Sequence, residues 1–156
     1  MSKYSDRAVE LFKSGFNCSQ SVFAAFCDKF GMDEATALRA SAGLGGGVGR
    51  MREVCGAVSG AAMLAGMVYG ATDGADRASK AKTYEAVQAI AAEFKKQNPS
   101  IVCRELLGLA SKDASAPTPS ARTAEYHKKR PCAQLVADAA AAAEKILFTT
   151  EQEETK

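Results

Sequence analysis

The sequence contains no tryptophan, and aromatic residues make up only 7% of its 156 residues. A hydrophobic core must therefore be built mostly from Ala, Val, Leu, Met and a few Phe side chains. Clusters of β-branched residues are nearly absent, whereas alanine runs such as residues 139–143 are present. Because alanine has the highest helix propensity, the composition favours helices over strands.

A strong excess of either charge is also missing, since the formal net charge is +2. So small a charge indicates neither a nucleic-acid partner nor a membrane surface. The first residues, MSKYSDRAVELF, have no apolar signal core, so we expect a cytoplasmic protein. The uncharged stretch 54–70 is rich in Gly and Ala and short for a membrane span, which predicts a buried helix and no membrane insertion.

No Cys-x-x-Cys pair occurs among the five cysteines. The signatures of a thioredoxin-type dithiol and of a zinc knuckle are therefore absent, and no CxxCH segment signals covalent haem attachment. In a chain without an export signal, five cysteines indicate thiol or metal chemistry rather than a disulfide scaffold.

Helix boundaries are marked by capping residues and by glycines. Asn17 and Asp33 are good N-caps, and Pro131 suits the first turn of a helix. The longest helix is predicted over residues 75–97, with Tyr84 among the residues of its apolar face. These signals predict a single all-α domain, a bundle of about six to eight helices over residues 1–148, followed by a frayed polar tail at 149–156.

The central helix is predicted to run from about Glu53 to Gly70 and is rich in small residues. Gly56, Gly60 and Gly66 lie along it. Because glycine has no side chain, we expect a neighbouring helix to approach closely at these positions.

Four cysteines fall in the first turn of a predicted helix: Cys18, Cys55, Cys103 and Cys132. A thiol there lies near the positive end of the helix dipole and near free N–H groups, which favours the thiolate. Cys27 follows Cys18 by nine residues, so at about 100° per residue it lies on the opposite side of the helix. Three nearby phenylalanines predict that Cys27 is a structural thiol in apolar surroundings.

The segment from Gly45 to Gly49 is a glycine-rich loop, which allows positive φ angles and close approach of the backbone. Two arginines follow it, and cations beside such a loop can hold an anionic ligand. The candidate ligand-binding set is Gly46, Gly47, Gly49 and Arg50. His127, the only histidine, is a further acid–base candidate for Cys132, although a lone surface histidine usually has no such role.

Four segments, FNCSQSV, GGGVGRMREVCGAVSGA, VCRELLG and RPCAQLV, resemble those of a known family, the C_GCAxxG_C_C redox-active proteins. Residues 55–60 form the CGAxxG element, and the resemblance covers residues 5–148. The resemblance implies an all-helical domain in a redox setting and names no substrate. The four characteristic cysteines that it implies are Cys18, Cys55, Cys103 and Cys132.

Three uses of these four cysteines stay open on the sequence alone. As redox thiols, they would form disulfides in a thiol oxidoreductase or electron-transfer protein with an unknown redox partner. As metal ligands, they would hold an iron–sulfur cluster or another metal. In a non-catalytic helical binding module, a monomer or a homodimer, the glycine loop would bind an anion and the cysteines would only pack.

Overall fold

The computed structural model of the protein describes residues 2–108, 116–124, 126 and 130–153. Within these ranges the chain forms seven α-helices, which confirms the predicted all-α bundle, and its only extended pairing is one isolated β-bridge. The α-helices are α1 (Lys3–Lys13), α2 (Cys18–Ala25), α3 (Glu34–Ser41), α4 (Gly56–Tyr69), α5 (Arg77–Phe94), α6 (Cys103–Leu107) and α7 (Cys132–Glu153), and two 3₁₀ helices span Cys27–Phe30 and Ala42–Leu44.

The predicted capping residues begin two of these helices. Asn17 forms a complete capping box at the start of α2, because its side chain accepts the N–H of Gln20 and the Gln20 side chain accepts the N–H of Asn17, each at 3.0 Å. Asp33 caps α3 through a similar hydrogen bond. Gly31 and Gly108 end the first 3₁₀ helix and α6 in the left-handed conformation, at φ of 61° and 63°.

The central helix is α4, which packs against α2, α5 and α7. Gly60 lies directly on α2, since a Cβ atom at this position would be 2.8 Å from the carbonyl oxygen of Ser19. Gly56 is enclosed in the same way, by Cys18. The prediction for Gly66 is wrong, because no atom would lie within 4 Å of a Cβ atom there.

The start of α4 and the end of α7 differ from the predicted boundaries. The helix α4 begins at Gly56 rather than near Glu53, because Val54 forms an antiparallel bridge with Val102 and the N–H of Cys55 donates to the carbonyl oxygen of Ile101. The helix α7 continues to Glu153, past the predicted boundary at residue 148. The last residues of the predicted tail, 154–156, lie outside the described part of the chain.

The longest predicted helix, 75–97, is shorter in the structure, where α5 spans Arg77–Phe94. Asp76 sets its start, because the Asp76 side chain accepts the N–H of Ser79 at 3.0 Å. Ile90 and Phe94 are buried, but Tyr84 is 63% exposed and is not part of the core.

The polar, proline-bearing sequence of residues 111–120 predicts a surface loop, and the structure describes this stretch only from residue 116 onwards. His127 lies outside the described residues. Among the helices that the structure describes, none is both long and apolar enough to cross a membrane.

Candidate thiol site

The four predicted site cysteines all lie at the start of an α-helix, as the sequence predicts. Cys18, Cys103 and Cys132 are the first residues of α2, α6 and α7, and Cys55 is the N-cap residue of α4. Each of these four helices therefore has a thiol at its N-terminal end, although the helices differ in length and sequence.

All four cysteines line one cavity of about 430 Å³, which we call the thiol cavity. Cys27 does not line it; Cys27 is half-buried in a separate surface depression beside Tyr4 and Arg7. All five cysteines are free thiols. The structure thus separates Cys27 from the other four, in agreement with the sequence-based interpretation.

A single β-bridge brings Cys55 and Cys103 together. The N–H of Cys55 donates to the carbonyl oxygen of Ile101 at 2.7 Å, and the N–H of Cys103 donates to that of Glu53 at 2.6 Å. In an antiparallel pair of this register, residues 55 and 103 are diagonal neighbours on one face. The sequence shows no signal for this pairing, because each extended segment is only a few residues long.

Two glycines allow the backbone to lie in close contact with cysteine side chains. A Cβ atom at Gly56 would be 2.5 Å from the Sγ of Cys18, and one at Gly47 would be 2.7 Å from the Cβ of Cys103. Contacts below 3.0 Å require the structure to shift, so only glycine fits at both positions without movement.

The glycine loop forms a left-handed turn, which includes three residues that are not glycine. Val48, Arg50 and Arg52 have φ of 64°, 62° and 61°. Such a conformation is costly for a β-branched residue such as Val48, and it persists only where the surroundings enforce it. Here hydrogen bonds from these three N–H groups to the carbonyls of residues 44, 45 and 46 hold the turn.

The predicted ligand-binding set is only partly assembled at the cavity. Gly46, Gly49 and Arg50 line it together with the cysteines, whereas Gly47 packs behind Cys103. The N–H of Gly46 donates to Cys18. Anion binding by the glycine loop itself stays a prediction.

The expectation that the helix starts favour thiolates is wrong for three of the four cysteines, because burial outweighs the helix N–H groups. Burial, together with the smaller effect of the neighbouring Cys18, raises the pKa of the Cys55 thiol to about 12. The N–H groups of Ala57 and Val58 act in the opposite direction but are the smaller effect. Burial also raises the pKa of Cys132 to about 11 and that of Cys18.

Arg52 provides a positive charge beside Cys103. Its guanidinium is buried, at 5% exposure, and Nη1 donates to the Sγ of Cys103 at 3.7 Å. A cation next to a cysteine stabilises the thiolate form. The sequence shows this arginine only as the second of two that follow the glycine loop, and in the structure it contacts Cys103.

Residues 116–122, which we call the strap, border the thiol cavity. The Arg50 guanidinium donates to the carbonyl oxygens of Ala116 and Thr118 and, at 3.1 Å, to the Oγ of Ser120. Arg122 anchors the other end, since it donates to the carbonyl oxygens of Phe12 and Phe16 at 3.0 Å each. The sequence identified this segment only as a polar loop.

The described residues contain no group of three or more His, Cys, Asp or Glu side chains arranged to hold a metal ion. The four cysteines share the lining of the thiol cavity. An iron–sulfur or other metal site on these cysteines therefore stays a prediction, as does the homodimer.

A family model described as "Putative redox-active protein (C_GCAxxG_C_C)" matches residues 16–146. The match spans all four cavity cysteines and the hexamer at 55–60, which is written GCAxxG in the family label and reads CGAxxG in this chain. Searches of curated proteins and of solved structures found no match. The family model covers well over half of the 156 residues, and the chain therefore belongs to the C_GCAxxG_C_C family.

Proposed function

We propose that the protein is a thiol oxidoreductase in which Cys103 and Cys18 exchange two electrons with a disulfide. The observation that carries this proposal is the placement of four helix-start thiols around one cavity, with the Arg52 guanidinium against Cys103. The cytoplasm suits this function, because thiols there are kept reduced.

Cys103 is the attacking thiol of this proposal. Cys55 and Cys132, with pKa values of about 12 and 11, are almost entirely protonated near pH 7. The thiolate is the nucleophile in disulfide exchange, so these two cysteines, and Cys18, whose pKa burial also raises, are poor first attackers. Cys103 has the cation that stabilises a thiolate, and it lies on the wall of the thiol cavity.

Cys18 is the resolving thiol. It lines the thiol cavity with the other three cysteines, and a Cβ atom at Gly56, the residue after Cys55, would be 2.5 Å from its Sγ. The Cys103 thiolate attacks one sulfur of a disulfide RSSR, which forms a mixed disulfide and releases RS⁻. Cys18 then loses its proton and attacks the Cys103 sulfur, which releases the second RS⁻. The two protons lost by the cysteines go to the two leaving thiolates, and the two electrons go to the substrate.

The test is to oxidise the reduced protein with one equivalent of a small neutral disulfide and to map its disulfides by mass spectrometry. We expect a Cys18–Cys103 disulfide that dithiothreitol reverses. Cys103→Ser should prevent it, whereas Cys18→Ser should stop at the mixed disulfide on Cys103. The matched control Cys27→Ser removes the one cysteine outside the cavity and should change nothing.

A different outcome would contradict the proposal. If the four cavity thiols stay reduced, the binding-module alternative of the sequence analysis gains support. If anaerobically purified protein contains stoichiometric iron that each of the four Cys→Ser changes removes, the metal alternative replaces the thiol mechanism.

A further inference from the structure

Four arginines line the thiol cavity, and they are Arg50, Arg52, Arg122 and Arg130. None of the described residues that line it is Asp or Glu. Three of them, Arg50, Arg122 and Arg130, make no salt bridge to a carboxylate of the described residues, so the cavity wall carries at least three positive charges. An electropositive cleft of this kind raises the local concentration of anions.

The strap does not cancel this charge. Arg50 and Arg122 hold it through backbone carbonyls and one hydroxyl, all of which are neutral acceptors. The arginines also repel one another. Burial lowers the pKa of Arg50, and the neighbouring charges of Arg52 and Arg130 lower it further. An anion in the cavity would relieve this repulsion.

The remaining wall is largely apolar. Leu106, Leu107, Leu135 and Pro117 contribute to it, together with the ring of Phe12. A volume of about 430 Å³ lies within the range of small-molecule sites. The cavity thus combines thiols, cations and apolar surface at the scale of a small organic molecule rather than of a bare inorganic ion.

We propose that the substrate of the thiol pair is a small organic disulfide that carries carboxylates. The arginines bind the carboxylates, the apolar wall accepts the carbon chain, and Cys103 attacks the disulfide bond. This inference rests on the proposed function and adds the chemical class of the substrate. The exchange proceeds as above: two protein thiols become one disulfide, and the substrate leaves as two carboxylate-bearing thiols.

The test compares three disulfides of similar size that differ in charge: 3,3′-dithiodipropionate, bis(2-hydroxyethyl) disulfide and cystamine. Each oxidises the reduced protein under single-turnover conditions at pH 7.5, and free thiols are counted over time. Because leaving-group pKa affects exchange, each rate is divided by the rate at which the same disulfide oxidises dithiothreitol. We expect the normalised rate of the dicarboxylate to exceed that of the diamine by roughly tenfold or more at low salt, and salt should reduce the difference.

Arg130→Gln should lower the ratio of the dicarboxylate rate to the neutral rate several-fold, since it removes one cavity charge. Arg77→Gln removes the same charge from the exposed start of α5 and should leave that ratio unchanged. Equal normalised rates, or a preference for the diamine, would overturn the anionic substrate while leaving the thiol function intact. If none of the three disulfides oxidises the cavity thiols, the proposed function itself fails.

Discussion

At the scale of single residues, the pairing of Arg52 with Cys103 distinguishes this thiol from the other three. Arg52 is buried and has a left-handed backbone, and both features are unusual for an arginine. Burying a charged side chain costs free energy, and this cost is offset only where neighbouring groups interact with the charge. A guanidinium that donates to a sulfur stabilises the negative charge that forms there when the thiol loses its proton.

Arg52→Gln should therefore slow alkylation of Cys103 by iodoacetamide at pH 7.5 by roughly several-fold, because the variant lacks the cation that contacts the sulfur. Peptide mapping of alkylated Cys103 against time measures this rate. Arg52→Lys keeps a positive charge and should recover part of the alkylation rate.

Arg104→Gln is the matched control for this prediction. Arg104 follows Cys103 in the chain but extends to Glu53 at 3.7 Å and is partly exposed. Its removal should leave the Cys103 rate within about twofold of wild type. If Arg52→Gln and Arg104→Gln slow the alkylation of Cys103 equally, the effect of Arg52 comes from its charge alone and not from its contact with the sulfur.

The position of each cysteine could be predicted from sequence, but its ionisation could not. Asn17 and the glycine loop mark helix starts locally, so Cys18 and Cys55 could be placed there from neighbouring residues alone. The protonation state depends on burial, which is set by helices distant in sequence. For Cys55 this long-range effect exceeds that of the helix N–H groups and reverses the predicted direction.

At the scale of elements, α4 shows how glycine distribution controls packing. Gly60 and Gly66 lie on the same helix and share the same helix propensity, yet only Gly60 has a neighbouring backbone at contact distance. The sequence predicted close packing at both glycines. It was wrong for Gly66, because spacing along a helix does not show where a partner helix crosses it.

Gly60→Ala should destabilise the protein by about 1–3 kcal/mol, since the new methyl group would lie 2.8 Å from the Ser19 carbonyl oxygen. Gly66→Ala meets open space and should stabilise it by about 0.5–1 kcal/mol, because alanine loses less backbone entropy in a helix. Urea denaturation of both variants measures the two changes. Equal changes at the two positions would show that α2 does not constrain Gly60.

The glycine loop is the element that sequence analysis described least completely. Glycines at 46, 47 and 49 predicted positive φ, and the structure has it at each. Val48, Arg50 and Arg52 have it as well, although their residue type disfavours it. Hydrogen bonds across the whole loop and the bridge at Val54 enforce this conformation, and neither can be recognised from single residues.

At the scale of the whole molecule, the bundle brings the starts of four helices to one cavity. The sequence predicted the helices and placed a cysteine at each start, but whether the starts meet depends on how α2, α4 and α7 cross. The sequence indicated a loop at the strap but not its place beside the cavity, because its anchors, Arg50 and Arg122, are more than 60 residues from the segments that they hold.

The buried thiols should also make the stability of the whole protein depend on pH. The folded-state pKa of Cys55 is about 12, above its ordinary value of about 9, so the folded protein keeps a proton that the unfolded chain loses. The resulting contribution of Cys55 to the free energy of unfolding is fully present below pH 9. It is lost as pH rises towards 12, by up to about 1.4 kcal/mol per pH unit. The difference in free energy of unfolding between wild type and Cys55→Ala, measured in urea with reductant at pH 8, 9, 10 and 11, should fall along this series. Lysines and tyrosines titrate in both proteins and cancel in the difference, so a constant difference would mean that Cys55 ionises as readily in the folded protein as in the unfolded chain.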